Sequence, residues 1–182
     1  AVIHDATVDR TTNGRGRVAD HTMADLARLD ARAIHDQWPE PCPVPSLAEV
    51  LAVLAPVPEL LIEIKADTPD RLARVAERLV ETLDAAGSTA GVVAIAGTPA
   101  LLEPIHAIRP DLPLGIAVDG SDSSWRQGEA FGITHALISM PNATAPIAAG
   151  LRQRGWGGGG GVGPVNDEQT AHAIRPLGFS HP

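Results

Sequence analysis

From residue 60 onward the chain repeats one unit: a short, almost wholly apolar run, a polar turn, then a segment with helical spacing of its apolar residues. Leu60-Leu-Ile-Glu-Ile-Lys65, Gly91-Val-Val-Ala-Ile-Ala96, Leu114 to Val118 and His135 to Ser139 read as strands. Strands without polar alternation are expected where helices cover both faces of a parallel sheet. Thr68-Pro69 opens the longest helix, Thr as cap and Pro in the first turn, and Gly87 closes it. Thr98-Pro99 repeats that signal for a helix reaching Ile108, and further helices are predicted around Ser124 to Phe131, Ala145 to Arg154 and Asp167 to Arg175. The alternation defines an α/β fold. Periodicity alone leaves open a doubly wound sheet and a (β/α)8 barrel.

The first sixty residues follow a different pattern. Ala1-Val2-Ile3 reads as the last half of a strand, ended by His4-Asp5, and a polar loop with the turn dipeptide Asn13-Gly14 follows. Thr22-x-x-Asp25 predicts a short helix to Leu29. After the Pro-rich loop Trp38 to Pro45, Ser46-Leu-Ala-Glu49 forms a capping box for a helix over Leu47 to Leu54.

With 182 residues, 44% of them hydrophobic, the chain can bury the core of one domain spanning 1–182. A net charge of −8 argues against a non-specific nucleic-acid binder, which needs a basic stripe to displace counterions from phosphates. A small anionic substrate is compatible with it, because a few local cations or a metal override the net charge. No apolar run approaches the roughly 20 residues of a membrane-spanning helix, so no span is expected. The lone cysteine, Cys42, sits between prolines and reads as an ordinary loop residue.

Charged residues at the ends of more than one strand favour the barrel, whose active sites gather at the C-terminal strand ends. His4-Asp5 ends one predicted strand and Glu63-x-Lys65 another, so a barrel would bring them to one face. An imidazole can move a proton, a carboxylate can hold a hard cation, and a lysine can neutralise a phosphoryl oxygen. The alternation along a strand places Glu63 and Lys65 on the same side. Each pair taken alone reads first as a strand-end charge pair making surface salt bridges.

Taken together, the string IHDATVDRTTNGRGRVADHTMADLARLDA, the segment PVPSLAEVLAVL and the strand LLIEIK resemble the core of the glycerophosphodiester phosphodiesterases. The resemblance is close over residues 1 to about 65 and looser beyond, through the order of elements and Val165-Asn166-Asp167. It implies a TIM (β/α)8 barrel of the phospholipase C-like phosphodiesterase type, here incomplete, and a divalent cation, Mg²⁺ or Ca²⁺. It also implies hydrolysis of a small-molecule glycerophosphodiester to glycerol 3-phosphate and an alcohol. By the same resemblance His4 is one of two acid-base histidines, Glu63 a metal ligand, and Lys65 a cation beside the phosphate. Arg10 also matches the family string; it is expected first to hold the loop and second to touch substrate.

Family members carry a His-Arg-Gly segment and a Glu-x-Asp pair upstream of the His-Asp, and the sequence here opens after that point. The expectation is therefore a barrel lacking its first strand and helix and its last strand, with impaired activity. The Gly155 to Gly161 tract departs from the family pattern and, without a following Gly-Lys-Ser/Thr, reads as a flexible or corrupted segment rather than a phosphate cradle. His21, His35, His106 and His172 are expected to be structural or solvated, His135 to lie at the non-catalytic end of the barrel, and His181 to belong to the tail. A different class of function, a non-catalytic remnant or interaction module with a partial barrel, follows from the same departures. The sequence does not fix the oligomeric state.

Overall fold

Strand order settles what periodicity leaves open. The computed structural model describes residues 1–32, 35, 37–54, 57–87, 90–156, 160–163, 165 and 167–179. His181 and Asn166 lie outside them. The chain divides into two compact units, Ala1–Val57 with Glu81–Thr89, and Pro58–Val80 with Ala90–Pro182.

The second unit holds the repeat. Its five strands are β1 (Leu60–Glu63), β2 (Val92–Ala96), β3 (Leu114–Ala117), β4 (His135–Ser139) and β5 (Gly160–Gly163), in the order β1-β2-β3-β4-β5. Every neighbouring pair is parallel. A doubly wound sheet reverses its order at a switch point, whereas a barrel adds strands one after another. The sequential order is that of a barrel, and five of eight strands make it an incomplete one among the described residues.

The five residues of β2 are all buried, as its unbroken apolar sequence requires. The connecting helices are α3 (Pro69–Ala85), α4 (Glu103–Ile108), α5 (Asp122–Phe131), α6 (Ala145–Gln153) and α7 (Glu168–Ile174). In α3 the buried residues Leu72, Ala76, Leu79 and Leu83 recur on one helical face. Ser121 caps α5 by accepting from the Ser124 amide, and Asp167 caps α7 by accepting from Thr170.

Three expectations are corrected. Thr98 makes no side-chain cap, and the helix predicted from it is two pieces, a 3₁₀ turn at Pro99–Leu101 and then α4. Of the glycine tract, residues 157–159 lie outside the described residues, and Gly160–Gly163 is not a flexible insertion, because it pairs with Ala136–Ser139 as β5. A parallel ladder needs only backbone groups, so strand pairing survives where side-chain pattern is lost. Ala1–Ile3 is not a strand, its Val2 amide being taken instead by the Pro45 carbonyl at 2.9 Å.

Within the first unit, an isolated antiparallel bridge between Thr7 and Arg17 pinches the polar loop at its base. Buried Val8, Leu26 and Val44 form the core, with Ile3, Val18, Met23, Leu29 and Ala31 packed on it. Helix α1 (Met23–Leu26) starts on a capping box between Thr22 and Asp25. Helix α2 (Leu47–Leu54) starts on the predicted box, with Ser46 Oγ accepting from the Glu49 amide and Glu49 accepting from the Ser46 amide at 2.8 Å.

One glycine sets the entry to the sheet. Gly91 has φ +78°, and a Cβ there would lie 2.2 Å from the Pro58 carbonyl oxygen. The Leu60 amide donates to the Gly91 carbonyl at 2.8 Å, so the chain cannot move aside without breaking the first β1–β2 contact. Gly91→Ala is therefore expected to cost about 3 kcal/mol, combining positive-φ strain with overpacking, and chemical denaturation would measure it.

Candidate active site

The family-like string folds mostly as architecture. Asp9 accepts from the Gly16 amide at 2.9 Å, and buried Thr12 donates to the Val8 carbonyl at 2.7 Å while accepting from the Gly14 amide. Asn13 and Asp30 exchange hydrogen bonds, the Asn13 amide to the Asp30 carbonyl and the Asp30 amide to Asn13 Oδ1. A Cβ on Gly14 would press on Leu29 at 2.9 Å. These residues fix the loop that carries His4, Asp5 and Arg10.

Arg10 grips Asp5 through two bonds, Nε to Oδ2 at 2.5 Å and Nη2 to Oδ1 at 2.8 Å. His4 Nδ1 lies 2.8 Å from Asp5 Oδ1. The Arg10 guanidinium, and after it His4, hold the Asp5 carboxyl well below the usual carboxylate range, and Asp5 in turn raises Arg10. An ionised carboxylate only accepts, so His4 Nδ1 carries the proton and donates it to Asp5. The neutral ring then has its lone pair on Nε2, which is the arrangement of a general base. The His4 side chain is 73% exposed, so solvent and a ligand can reach it.

Sequence reasoning had not assigned Asp5 a role in the site. Its adjacency to His4, with Arg10 five positions on in the same string, is the signal that points to it.

In the second unit, Glu63 is the last residue of β1, and Lys65 Nζ meets Glu63 Oε2 at 2.7 Å. Both side chains are partly open to solvent. The structure thus brings His4 and Arg10 together through Asp5, and Glu63 together with Lys65. A cavity of about 340 Å³ opens at the C-terminal ends of β3 and β4, lined by Asp119, Ser139 and Asn142 among others. No motif marks those three residues; only their place after predicted strands could have singled them out.

Glu63 is an oxygen donor suited to a hard cation, but Mg²⁺ takes six oxygens and Ca²⁺ six to eight. Among the described residues no group of three or more His, Cys, Asp or Glu side chains is placed to hold a metal ion. The described donor set does not fit a complete cation shell, and Glu63 is already paired with Lys65.

Four of the other described histidines have local partners. His135 opens β4, its Nε2 2.8 Å from Glu59 Oε1 and its Nδ1 2.6 Å from Thr134 Oγ1, at the N-terminal end of the sheet. His21 Nε2 lies 3.1 Å from the Arg15 carbonyl, the His106 ring meets Phe131 in a tilted contact, and His172 pairs with Glu168. His35 lies in the loop after Arg32. Cys42 is exposed, its amide bonded to Asp30 Oδ1. Among the described residues no helix is long and apolar enough to cross a membrane.

Comparison with known proteins bears on the family and the fold. Residues 1–156 match the model of the Glycerophosphoryl diester phosphodiesterase family. A glycerophosphodiester phosphodiesterase of Bacillus subtilis is 35% identical over 126 residues, which cover 62% of this chain and 42% of that protein. One from Caldanaerobacter subterraneus is 63% identical over 30 residues, 16% of this chain and 12% of that protein. The aligned part thus spans less than half the length of these relatives. An Oleispira antarctica phosphodiesterase, solved in complex with the product sn-glycerol-3-phosphate, superposes with a TM-score of 0.83 at 19% identity, covering 98% of this chain and 72% of that one. The glycerophosphodiester phosphodiesterase of Agrobacterium tumefaciens gives 0.75 at 21%, covering 98% and 74%. At such identities the superpositions establish the fold, and the family match carries the kinship: the chain belongs to the glycerophosphoryl diester phosphodiesterase family.

Proposed function

We propose that this chain hydrolyses a small glycerophosphodiester to glycerol 3-phosphate and an alcohol, and that its turnover is slow. The observation that carries the reading is the His4–Asp5–Arg10 relay, which leaves Nε2 of an exposed imidazole as a base, within a family match over residues 1–156. Water attacks phosphorus, the P–O bond to the alcohol breaks, and the proton lost by the water is balanced by one gained on the departing alkoxide. His4 Nε2 takes or returns that proton. Lys65 offsets the charge that builds on the phosphoryl oxygens. Arg10 is a positioning residue first, acting through Asp5, and a substrate contact second.

Glu63 is the carboxylate of this chain that would contribute to a divalent cation site, Mg²⁺ or Ca²⁺. Since the described residues do not complete such a site, no step is assigned to a cation. The incomplete donor set among the described residues is the ground for the slow turnover expected.

³¹P nuclear magnetic resonance of glycerophosphocholine incubated with the chain tests the reading. Glycerol 3-phosphate with free choline is expected. Phosphocholine with free glycerol would place the cleavage on the other ester bond and overturn it. A second reading, a non-catalytic partial barrel that serves as an interaction module, draws on the incomplete cation shell among the described residues. An unchanged spectrum from a cooperatively folded chain would favour that one.

A further inference from the structure

The cavity after β3 and β4 has no part in the chemistry above. Its volume, about 340 Å³, is in the range of small-molecule sites. It lies at the C-terminal edge of the same sheet whose first strand ends in Glu63, with Lys65 just beyond. Neighbouring strands are about 4.8 Å apart, so the cavity is roughly 10 to 14 Å along the edge from the end of β1. A lysine side chain reaches about 6 Å and a two-carbon headgroup extends about 5 Å from phosphorus, which together reach the nearer end of the cavity.

The lining chooses the chemistry. Among the described residues Asp119 is the only charged side chain in it, and the other polar groups are hydroxyl and amide, including Ser121, Ser139, Asn142 and Gln127, beside aliphatic Val118 and Leu137. Hydrogen bonds from the Ser121 side chain and amide hold the Asp119 carboxyl down at about 2, so it stays ionised at neutral pH. A fixed negative charge repels a phosphate here. The first amides of α5 are also already engaged, the Ser121 amide by Asp119 Oδ1 at 2.9 Å and the Ser124 amide by Ser121 Oγ at 3.2 Å. The loop is further tied by Ser124 Oγ to the Ser121 carbonyl and by Trp125 Nε1 to the Gly120 carbonyl, so the acceptors are held in place before a ligand arrives. Among the described residues no aromatic ring lines the cavity, so they form no cage of the kind that recognises a quaternary ammonium.

We propose that this cavity is the subsite for the departing alcohol, and that it selects a small alcohol bearing hydrogen-bond donors, above all a primary ammonium, over a trimethylated one. The proposal rests on the phosphodiesterase reading and names its substrate class. Asp119 accepts from the ammonium, and Ser139 and Asn142 accept from the remaining donors.

Isothermal titration of the chain with glycerophosphoethanolamine and with glycerophosphocholine tests it. The ethanolamine ester is expected to bind about tenfold tighter, the value of one charge-assisted hydrogen bond over a contact without donors. Asp119→Asn, which keeps an oxygen for the Ser121 amide, should bring the two within about twofold of each other. Asn142→Asp, which adds a second negative charge, should widen the gap, and circular dichroism confirms that each variant is folded. Equal binding of the two esters, or a preference unmoved by Asp119→Asn, overturns the subsite and leaves the phosphodiesterase reading intact. Binding of neither ester overturns both.

Discussion

Replacing His4 by alanine is expected to lower glycerol 3-phosphate release by about 10²- to 10⁴-fold, the usual contribution of a positioned acid-base group. The argument runs through Asp5. Arg10 keeps that carboxylate ionised with two hydrogen bonds, the carboxylate holds the Nδ1 proton, and Nε2 is left as the base. With the His4 side chain 73% exposed, its removal forms no cavity, and the melting temperature should stay near that of the unsubstituted chain. The two readouts separate a chemical role from a structural one. A rate loss accompanied by a fall of many degrees in melting temperature would assign His4 to the architecture of the loop, and an unchanged rate would remove it from the chemistry.

Ile116→Ala is the second large effect, this time on stability. Ile116 is fully buried in β3 and faces Ala96 of β2 and Ala136 of β4 across the ladder. Its small neighbours cannot swing into the vacated space, so both the transfer free energy and a residual cavity count against the variant. A loss of about 4 kcal/mol is expected, a large part of the total stability of a typical domain. Equilibrium denaturation measures it, with the midpoint shifting at constant slope if the same surface is exposed on unfolding. A loss below about 1 kcal/mol would mean that β3 is not at the centre of the sheet.

The elements that the sequence revealed are those in which local chemistry and tertiary packing ask for the same residues. The Ser46–Glu49 box starts a helix over Leu47–Leu54 as its reciprocal bonds require, and His135–Ser139 is a strand with the bounds its apolar run suggests. Gly160–Gly163 was illegible because a glycine strand has no side-chain period, its pairing with β4 being entirely backbone. Ala1–Ile3 misled in the opposite sense: β-branched residues fit a strand, but the Val2 amide found a proline carbonyl in the loop before α2.

The candidate site divides along the same line. Glu63 and Lys65, two positions apart on an extended chain, share a face by geometry alone, and their ion pair at 2.7 Å follows from it. The family string singled out His4 and Arg10, yet the residue between them in function, Asp5, acquires its role only when the loop pinched at Thr7 and Arg17 returns Arg10 to it. Asp119, Ser139 and Asn142 form no motif, since a cavity at strand ends is made by the order of the strands and not by residue spacing.

The measurement that bears most directly on the central claim is coupled detection of glycerol 3-phosphate released from glycerophosphocholine by the purified chain. It is run with Mg²⁺ or Ca²⁺ and with chelator, beside His4→Ala at equal folded concentration. Slow release above the uncatalysed rate, lost in His4→Ala, is the predicted result. No release from a chain that melts cooperatively, or release unaffected by His4→Ala, would contradict the account.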